Sequence, residues 1–441
     1  MVSGENEQSL VHSFLVSSVG PGYSIGSDNA YHLSGLDLAM KLHYIHGIYF
    51  FDSEASRSLT VPQIKSATFS LFNEYYVTCG RLRLADSGRP FIKCNDCGAR
   101  FIEAECRMTV AEWLETTGED CSSLKMLVPQ QIIGPELQFS PLIYMQVTRF
   151  KCKGFSIGLS WSHILSDAFS AAVFMNALTD LLFGGAPSAV TPPPPLAVDT
   201  ITKISSPKPP LSAAAKPPLS IRLVDPVGEH WIPTNNCKME SFSFELNATQ
   251  LAKLQTQMPH LTPPFESISA VLWQSIAKLR RGSEPTTVTL CKLNPIKPKG
   301  KMTGNAQKIT TVKFTNTAIS AADRRELAEL LVDNAGEEEN KLIEEAVERD
   351  DGVSDFIVYG ANLTFVKWDE ADLYGDGMEL NSERPKYVYY TLHGVGDSGA
   401  VVVVPGSGDD SGGKGRLVTV ILPENEVAEL KAELMANGMV V

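Results

Sequence analysis

The stretch PLIYMQVTRFKCKGFSIGLSWSHILSDAFSAAVFMNALTDLLFGG, residues 141–185, decides the architecture. Apolar side chains alternate in two runs, Ile143/Met145/Val147 and Phe155/Ile157/Leu159/Trp161. That period of two marks a pair of strands, with Lys151 to Lys153 at the turn between them. After His163 the pattern turns helical and runs to a stop at Gly184 and Gly185. His163 and Asp167 therefore fall between a strand and a helix. A strand end buried between domains can hold an imidazole at the mouth of a cleft. Its ordinary pKa of about 6.5 leaves the ring mostly neutral at pH 7. Such a ring can take a proton from a hydroxyl, amine or thiol as that atom attacks a carbonyl, an effect worth roughly 10²–10⁴ in rate. Asp167 opens the following helix, where the helix dipole favours a carboxylate. Its expected role is to hold the loop, for instance by pairing with an arginine, and not to move protons.

Working outward, the pattern stays mixed. Leu33 onward, LSGLDLAMKLHYIHGIYFF, opens with a helix or turn and closes on an aromatic strand or helix end. Ser66 to Cys79 reads as a helix, FESISAVLWQSIAKLRRG as a helix stopped at Gly282, and Ser320 to about Arg349 as a helical region broken around Asn334 to Gly336. Tyr387 to Val404 is β-rich, and PENEVAELKAELMANG forms a final helix with Pro423 at its first turn. Strands and helices interleave in both halves without a fixed repeat, so the class is α/β, in two layered domains of related build.

The sharpest composition break contains PPPP at Pro192 to Pro195 and then SSPKPPLSAAAKPPLS. Proline at this density removes backbone donors and favours extended, solvated chain. It divides residues 1–185, which carry His163, from 220–441, with 186–219 as an interdomain crossover. Two domains also suit 441 residues, of which 43% are hydrophobic. A formal charge of −13 argues against nucleic acid and against purely electrostatic docking to anionic membranes. MVSGENEQSL has neither a basic nor an apolar signal region, and no apolar run is long enough to span a bilayer. The eight cysteines are scattered, and reduced thiols are the expectation.

Five ordered segments carry a resemblance. LSGLD at Leu33 to Asp37, YYVTCGRL at Tyr75 to Leu82, the run from Pro141 to Ala177 with HILSD, FESISAVLW at Phe265 to Trp273, and DEADLYGDG at Asp369 to Gly377 resemble the plant BAHD acyltransferases over nearly the whole chain. DLAMKLHYIHGIYFF, GLSWSHILSDAFSA, YGANLTFV from Tyr359 and YTLHGVGDSGAVVV from Tyr390 narrow it to the Eceriferum/Glossy branch. The resemblance implies a two-domain CoA-dependent acyltransferase fold, each domain a mixed sheet covered by helices. It also implies a part in cuticular wax formation: promoting elongation of very-long-chain acyl-CoAs with a membrane-bound ketoacyl-CoA synthase at the endoplasmic reticulum. With no anchor in the chain, that location would come through the partner at the cytosolic face, the alternative being cytoplasmic. A monomer is expected, with acyl-CoA as substrate or ligand and no bound metal or flavin.

The resemblance carries His163 over as general base and Asp167 as its structural support. Three departures matter. Ala168 stands where active members usually have glycine. In the second motif Asp372 and either Gly375 or Gly377 align, but the tryptophan is gone and Leu373, Tyr374 and Asp376 intrude. An arginine after the crossover strand is replaced by Lys292, which is not neutral where a bidentate contact is needed. Two readings stay open: His163 transfers acyl groups to an unknown acceptor, or the scaffold binds acyl chains or the elongase without chemistry. Both expect an interdomain channel with His163 reachable from either face. Lys292, Lys297, Lys299 and Lys301 could meet CoA phosphates as point charges, although such a run is more often a solvated loop.

Rival motifs have structural explanations. GFSIG at Gly154 to Gly158 fits a hydrolase nucleophile elbow, but Ser156 lies inside an alternating strand. GDSG at Gly396 to Gly399 and HGVGD at His393 to Asp397 read as glycine-rich turns. CNDC at Cys94 to Cys97 has no second pair for zinc, and His43 and His46, read as i, i+3 on a helix, have no third ligand. EEENKLIEEAVERDD reads as an exposed helix face, and PGSGDDSGGKG as a hairpin tip.

Overall fold

Two sheets carry the architecture. The first has six strands in the order Val11–Val19, Ala99–Cys106, Ile143–Phe150, Phe155–Ser162, Tyr44–Phe51 and Tyr387–His393. The second has seven, in the order Met239–Leu246, Lys414–Pro423, Ala400–Gly408, Leu363–Lys367, Thr287–Leu293, Gln307–Lys313 and Glu337–Glu338. Both mix parallel and antiparallel pairs. The computed structural model describes residues 9–440 except 27–28, 56–58, 118–120, 131–132, 135, 184–217, 229–230, 232–234, 260–261, 295–303, 334–336, 376–383 and 409–413. All of the proline-rich crossover but Pro218 and Leu219 lies outside the described residues, as do residues 409–413 of the hairpin tip.

The alternating runs of the first half form the expected hairpin. Ile143–Phe150 pairs antiparallel with Phe155–Ser162, and Lys153 takes a positive φ at the turn. Ser156 lies inside the second of these strands and is buried, because both faces of that strand are covered. Ala168–Phe183 follows as a helix of 16 residues. Pro264–Leu279 and Glu424–Ala436 are the helices expected of the second half. Local signals set several helix starts: Ser34 with Asp37, Thr60 with Gln63 and Asn247 with Gln250 each form a reciprocal capping box.

Two expectations are corrected. The Ser66 to Cys79 segment is not one helix: Val61–Leu71 is α-helical, and Tyr76–Cys79 is a separate 3₁₀ turn. The histidines His43 and His46 do not share a helix face. The helix Gly35–Ala39 is short, and Tyr44–Phe51 is a strand buried along its whole length. The run YIHGIYFF does not alternate between apolar and polar residues, so no period of two announces the strand.

The halves in sequence are not the halves in space. Tyr387–His393 belongs to the second half but completes the first sheet, antiparallel to Tyr44–Phe51. Tyr390 faces Gly47, where an added Cβ would come within 2.6 Å of the Tyr390 ring. The missing side chain makes room for the Tyr390 hydroxyl to meet that of Tyr49 at 2.8 Å. One hydrophobic core accordingly combines residues of both halves, including Trp161, Tyr359, Trp368 and Tyr390. A second core, around Trp273 and Phe365, belongs to the second half alone.

Candidate functional site at the seam of the two halves

His163 sits at the end of the Phe155–Ser162 strand, with its backbone N–H donating to the carbonyl of His43 at 3.0 Å. Its side chain is wholly buried, at 0% exposure. Nε2 lies 2.8 Å from the hydroxyl of Tyr359, and Gln307 Nε2 lies 2.8 Å from the same oxygen. Burial holds the Tyr359 phenol well above its ordinary pKa, so it stays protonated. Gln307 Oε1 lies 2.9 Å from the same hydroxyl as an acceptor, so Tyr359 donates either to Gln307 or to His163, according to the histidine tautomer. Burial also lowers the His163 pKa to about 4, so the ring is neutral at pH 7. The expectation of a ring reachable from both faces is therefore not met. A cavity lined by His46, His393 and their neighbours does not include His163 in its lining.

Two buried carboxylates of the first half clamp one short segment of the second. Asp37 accepts from the backbone and side-chain nitrogens of Asn305 at 2.8 and 2.9 Å, and also from Ser34 N and Oγ. Asp167 accepts from Ala306 N at 2.9 Å and from Ser170 N at 3.1 Å. Burial raises the pKa of both carboxyls, and the amides aimed at them pull back. Asn305 Nδ2 also reaches the carbonyl of His163 at 2.9 Å, which ties the LSGLD aspartate to the site loop. The expected arginine is not the partner: the groups that meet the Asp167 carboxylate are the backbone amides of Ser170 and Ala306.

A third cross-seam contact is ionic. Lys41 Nζ lies 2.7 Å from Asp355 Oδ1, with side-chain exposures of 3% and 7%. The next residues after Asp355 deliver Tyr359 to His163. His43 Nε2 accepts from Val358 N at 3.0 Å, and the His43 and Tyr359 rings meet edge to face at 4.9 Å. Gly360 turns the chain with φ +87°, where a Cβ would lie 2.4 Å from the Gly396 carbonyl.

The remaining sequence candidates do not converge on His163. Lys292 Nζ is paired with the buried Glu266 at 3.0 Å, while Lys297, Lys299 and Lys301 lie outside the described residues. Asp372 is exposed and receives the Asn176 amide on its backbone carbonyl, and Gly375 takes φ +69°. Within that loop the buried, paired carboxylate is Asp369, 3.0 Å from Arg416. Leu373 enters the core, and the Tyr374 hydroxyl accepts from Val388 N at 3.2 Å. Among the described residues no group of three or more His, Cys, Asp or Glu could hold a metal.

A family model described as the Transferase family matches residues 19–436. ECERIFERUM 26-like from Arabidopsis thaliana is 38% identical over 433 residues, covering 98% of this chain and 96% of that protein. ECERIFERUM 2 from the same plant is 37% identical over 448 residues, covering 97% and 99%. The chain belongs to the BAHD acyltransferase family, in its Eceriferum branch. Its fold matches the crystal structure of vinorine synthase with a TM-score of 0.67 at 18% identity, over 97% of this chain and 98% of the synthase. It also matches TRI101 from F. sporotrichioides, solved with coenzyme A and T-2, with a TM-score of 0.63 at 15% identity, over 91% and 97%. Within this BAHD chain, no motif marks Tyr359, Gln307 or Asn305 as site residues. Tyr359 was nonetheless legible as the first residue of YGANLTFV, one of the segments that points to the Eceriferum branch.

Proposed function

We propose that this BAHD protein acts in cuticular wax formation, promoting elongation of very-long-chain acyl-CoAs beside a membrane-bound ketoacyl-CoA synthase. It does so as a binding scaffold, without transferring acyl groups. The occupied imidazole carries this reading. A general base needs a free Nε2 to receive the acceptor's proton, and here Tyr359 fills that position. Displacing the phenol would leave Gln307 and Tyr359 without buried partners, at about 1–3 kcal/mol for each orphaned group. The full-length similarity to ECERIFERUM 2 and ECERIFERUM 26-like supports the wax assignment.

Acyl-CoA is the ligand of this proposal, consistent with coenzyme A in the fold neighbour TRI101. Lys297 and Lys299 are its proposed phosphate contacts, whereas Lys292 would first have to leave Glu266. No helix among the described residues is long and apolar enough to cross a membrane, so the proposed endoplasmic reticulum location rests on the synthase partner.

A second reading, acyl transfer with His163 as general base, has one observation in its favour: the ring is neutral at pH 7 and so keeps one nitrogen unprotonated. Expression of a ketoacyl-CoA synthase in yeast, with and without this chain, tests the proposal. Longer acyl products only in the presence of both proteins are expected. Identical chain-length profiles would refute it.

A further inference from the structure

A cavity of about 250 Å³ lies where the end of the first sheet meets the Met239–Leu246 strand of the second, and it is separate from the His163 ring. His46 and His393 line it, on neighbouring strands, with rings stacked at 5.6 Å. His46 is only 4% exposed. His46 Nε2 and His393 Nδ1 are buried without a hydrogen-bond partner, as is Asn235 Oδ1 on the facing segment. Buried polar atoms left dry are costly, and three of them around one cavity point to a missing polar group. The rest of the lining is largely apolar, with Ile48, Val128, Met239 and Ile421 among it.

The chemistry of that missing group can be narrowed. Burial lowers the pKa of both imidazoles, that of His46 to about 3, and the nearby Lys125 pushes the same way. Both rings are therefore neutral, and a neutral imidazole offers one donor and one acceptor. Lys125 and Glu240 contribute one charge of each sign to the lining, so neither a full anion nor a full cation is favoured. The volume equals that of roughly eight water molecules in the liquid.

We propose that this cavity binds an aliphatic chain ending in a hydroxyl group, with the hydroxyl between His46 and His393 and the chain along Ile48, Val128 and Met239. A hydroxyl can donate to one neutral ring and accept from the other, whereas a carboxylate can only accept, would need an N–H from both rings, and would bring a full charge into the buried site. The inference does not rest on the scaffold reading of His163.

Titration of the full-length protein with 1-octanol, octanoate and octane, followed by calorimetry, tests it. Saturable 1-octanol binding is expected, with octanoate and octane each weaker by roughly tenfold or more. His393→Leu should remove the preference for 1-octanol over octane. Met239→Trp, which fills the cavity from a half-buried position, should abolish binding, while thermal melting reports whether each variant is folded. Octanoate binding as tightly as 1-octanol, no saturable binding at all, or binding untouched by Met239→Trp in a folded protein would overturn the proposal.

Discussion

The hydroxyl of Tyr359 stands 2.8 Å from Nε2 of His163, so the second half of the chain supplies the group that an acceptor substrate would have to supply. Removing only that oxygen tests how firmly the site is closed. Tyr359→Phe leaves His163 Nε2 and the Gln307 amide unsatisfied while keeping the ring in the core. It should destabilise the protein by about 1–3 kcal/mol, read as a lower urea midpoint at unchanged slope. An unchanged midpoint would mean that the hydrogen bond contributes nothing.

The histidines at the seam should behave as buried neutral bases. Burial lowers His163 to about 4 and His43 and His46 to about 3. Each folded value lies below the unfolded value of about 6.5. The unfolded chain therefore binds more protons between these values, and the contribution of each ring to stability is lost as pH falls through that window. Histidine NMR signals of the folded protein should show three rings with no titration between pH 8 and pH 5. A seam histidine titrating near pH 6.5 would contradict the sealed site.

Asp37 is the sequence-visible half of a clamp whose other half is hidden. Asp37→Ala removes the acceptor for Asn305 N, Asn305 Nδ2 and the Ser34 cap. A loss of about 2–4 kcal/mol is expected, with Asp37→Asn milder because its amide oxygen still accepts. Equilibrium denaturation of both variants checks the order.

The buried Lys41–Asp355 pair is strongly destabilising to break and less so to replace. Lys41→Met should cost about 3–5 kcal/mol by leaving Asp355 uncompensated, and adding Asp355→Leu should recover at least half of it. A double variant as unstable as the single one would show that the pair's geometry, and not its unpaired charge, sets the cost.

Much of this was legible from residues, and the reasons for the rest are physical. The His163 hairpin and its helix were readable because alternation and a helical run survive in residues 143–183. The Tyr44–Phe51 strand was less so, because YIHGIYFF does not alternate between apolar and polar residues. His163 and Asp167 were readable as a pair, yet what they touch is set by Asn305, Ala306 and Tyr359, which lie more than a hundred residues away. Asp369 was passed over for Asp372 because motif position ranks a residue by its neighbours in sequence, whereas burial beside Arg416 ranks it by neighbours in space. The closure of the site had one trace in the sequence, Tyr359 at the head of YGANLTFV.

The most direct test of action without acyl transfer compares wild type, His163→Ala and His163→Gln, each co-expressed with a ketoacyl-CoA synthase. Glutamine can still accept from Tyr359 but cannot serve as a base at neutral pH, so it separates folding from catalysis. The scaffold account predicts an unchanged product chain-length profile for His163→Gln, and for His163→Ala wherever the protein accumulates. A fall of roughly a hundredfold or more in the longer products with folded His163→Gln would contradict it and make the imidazole the working base.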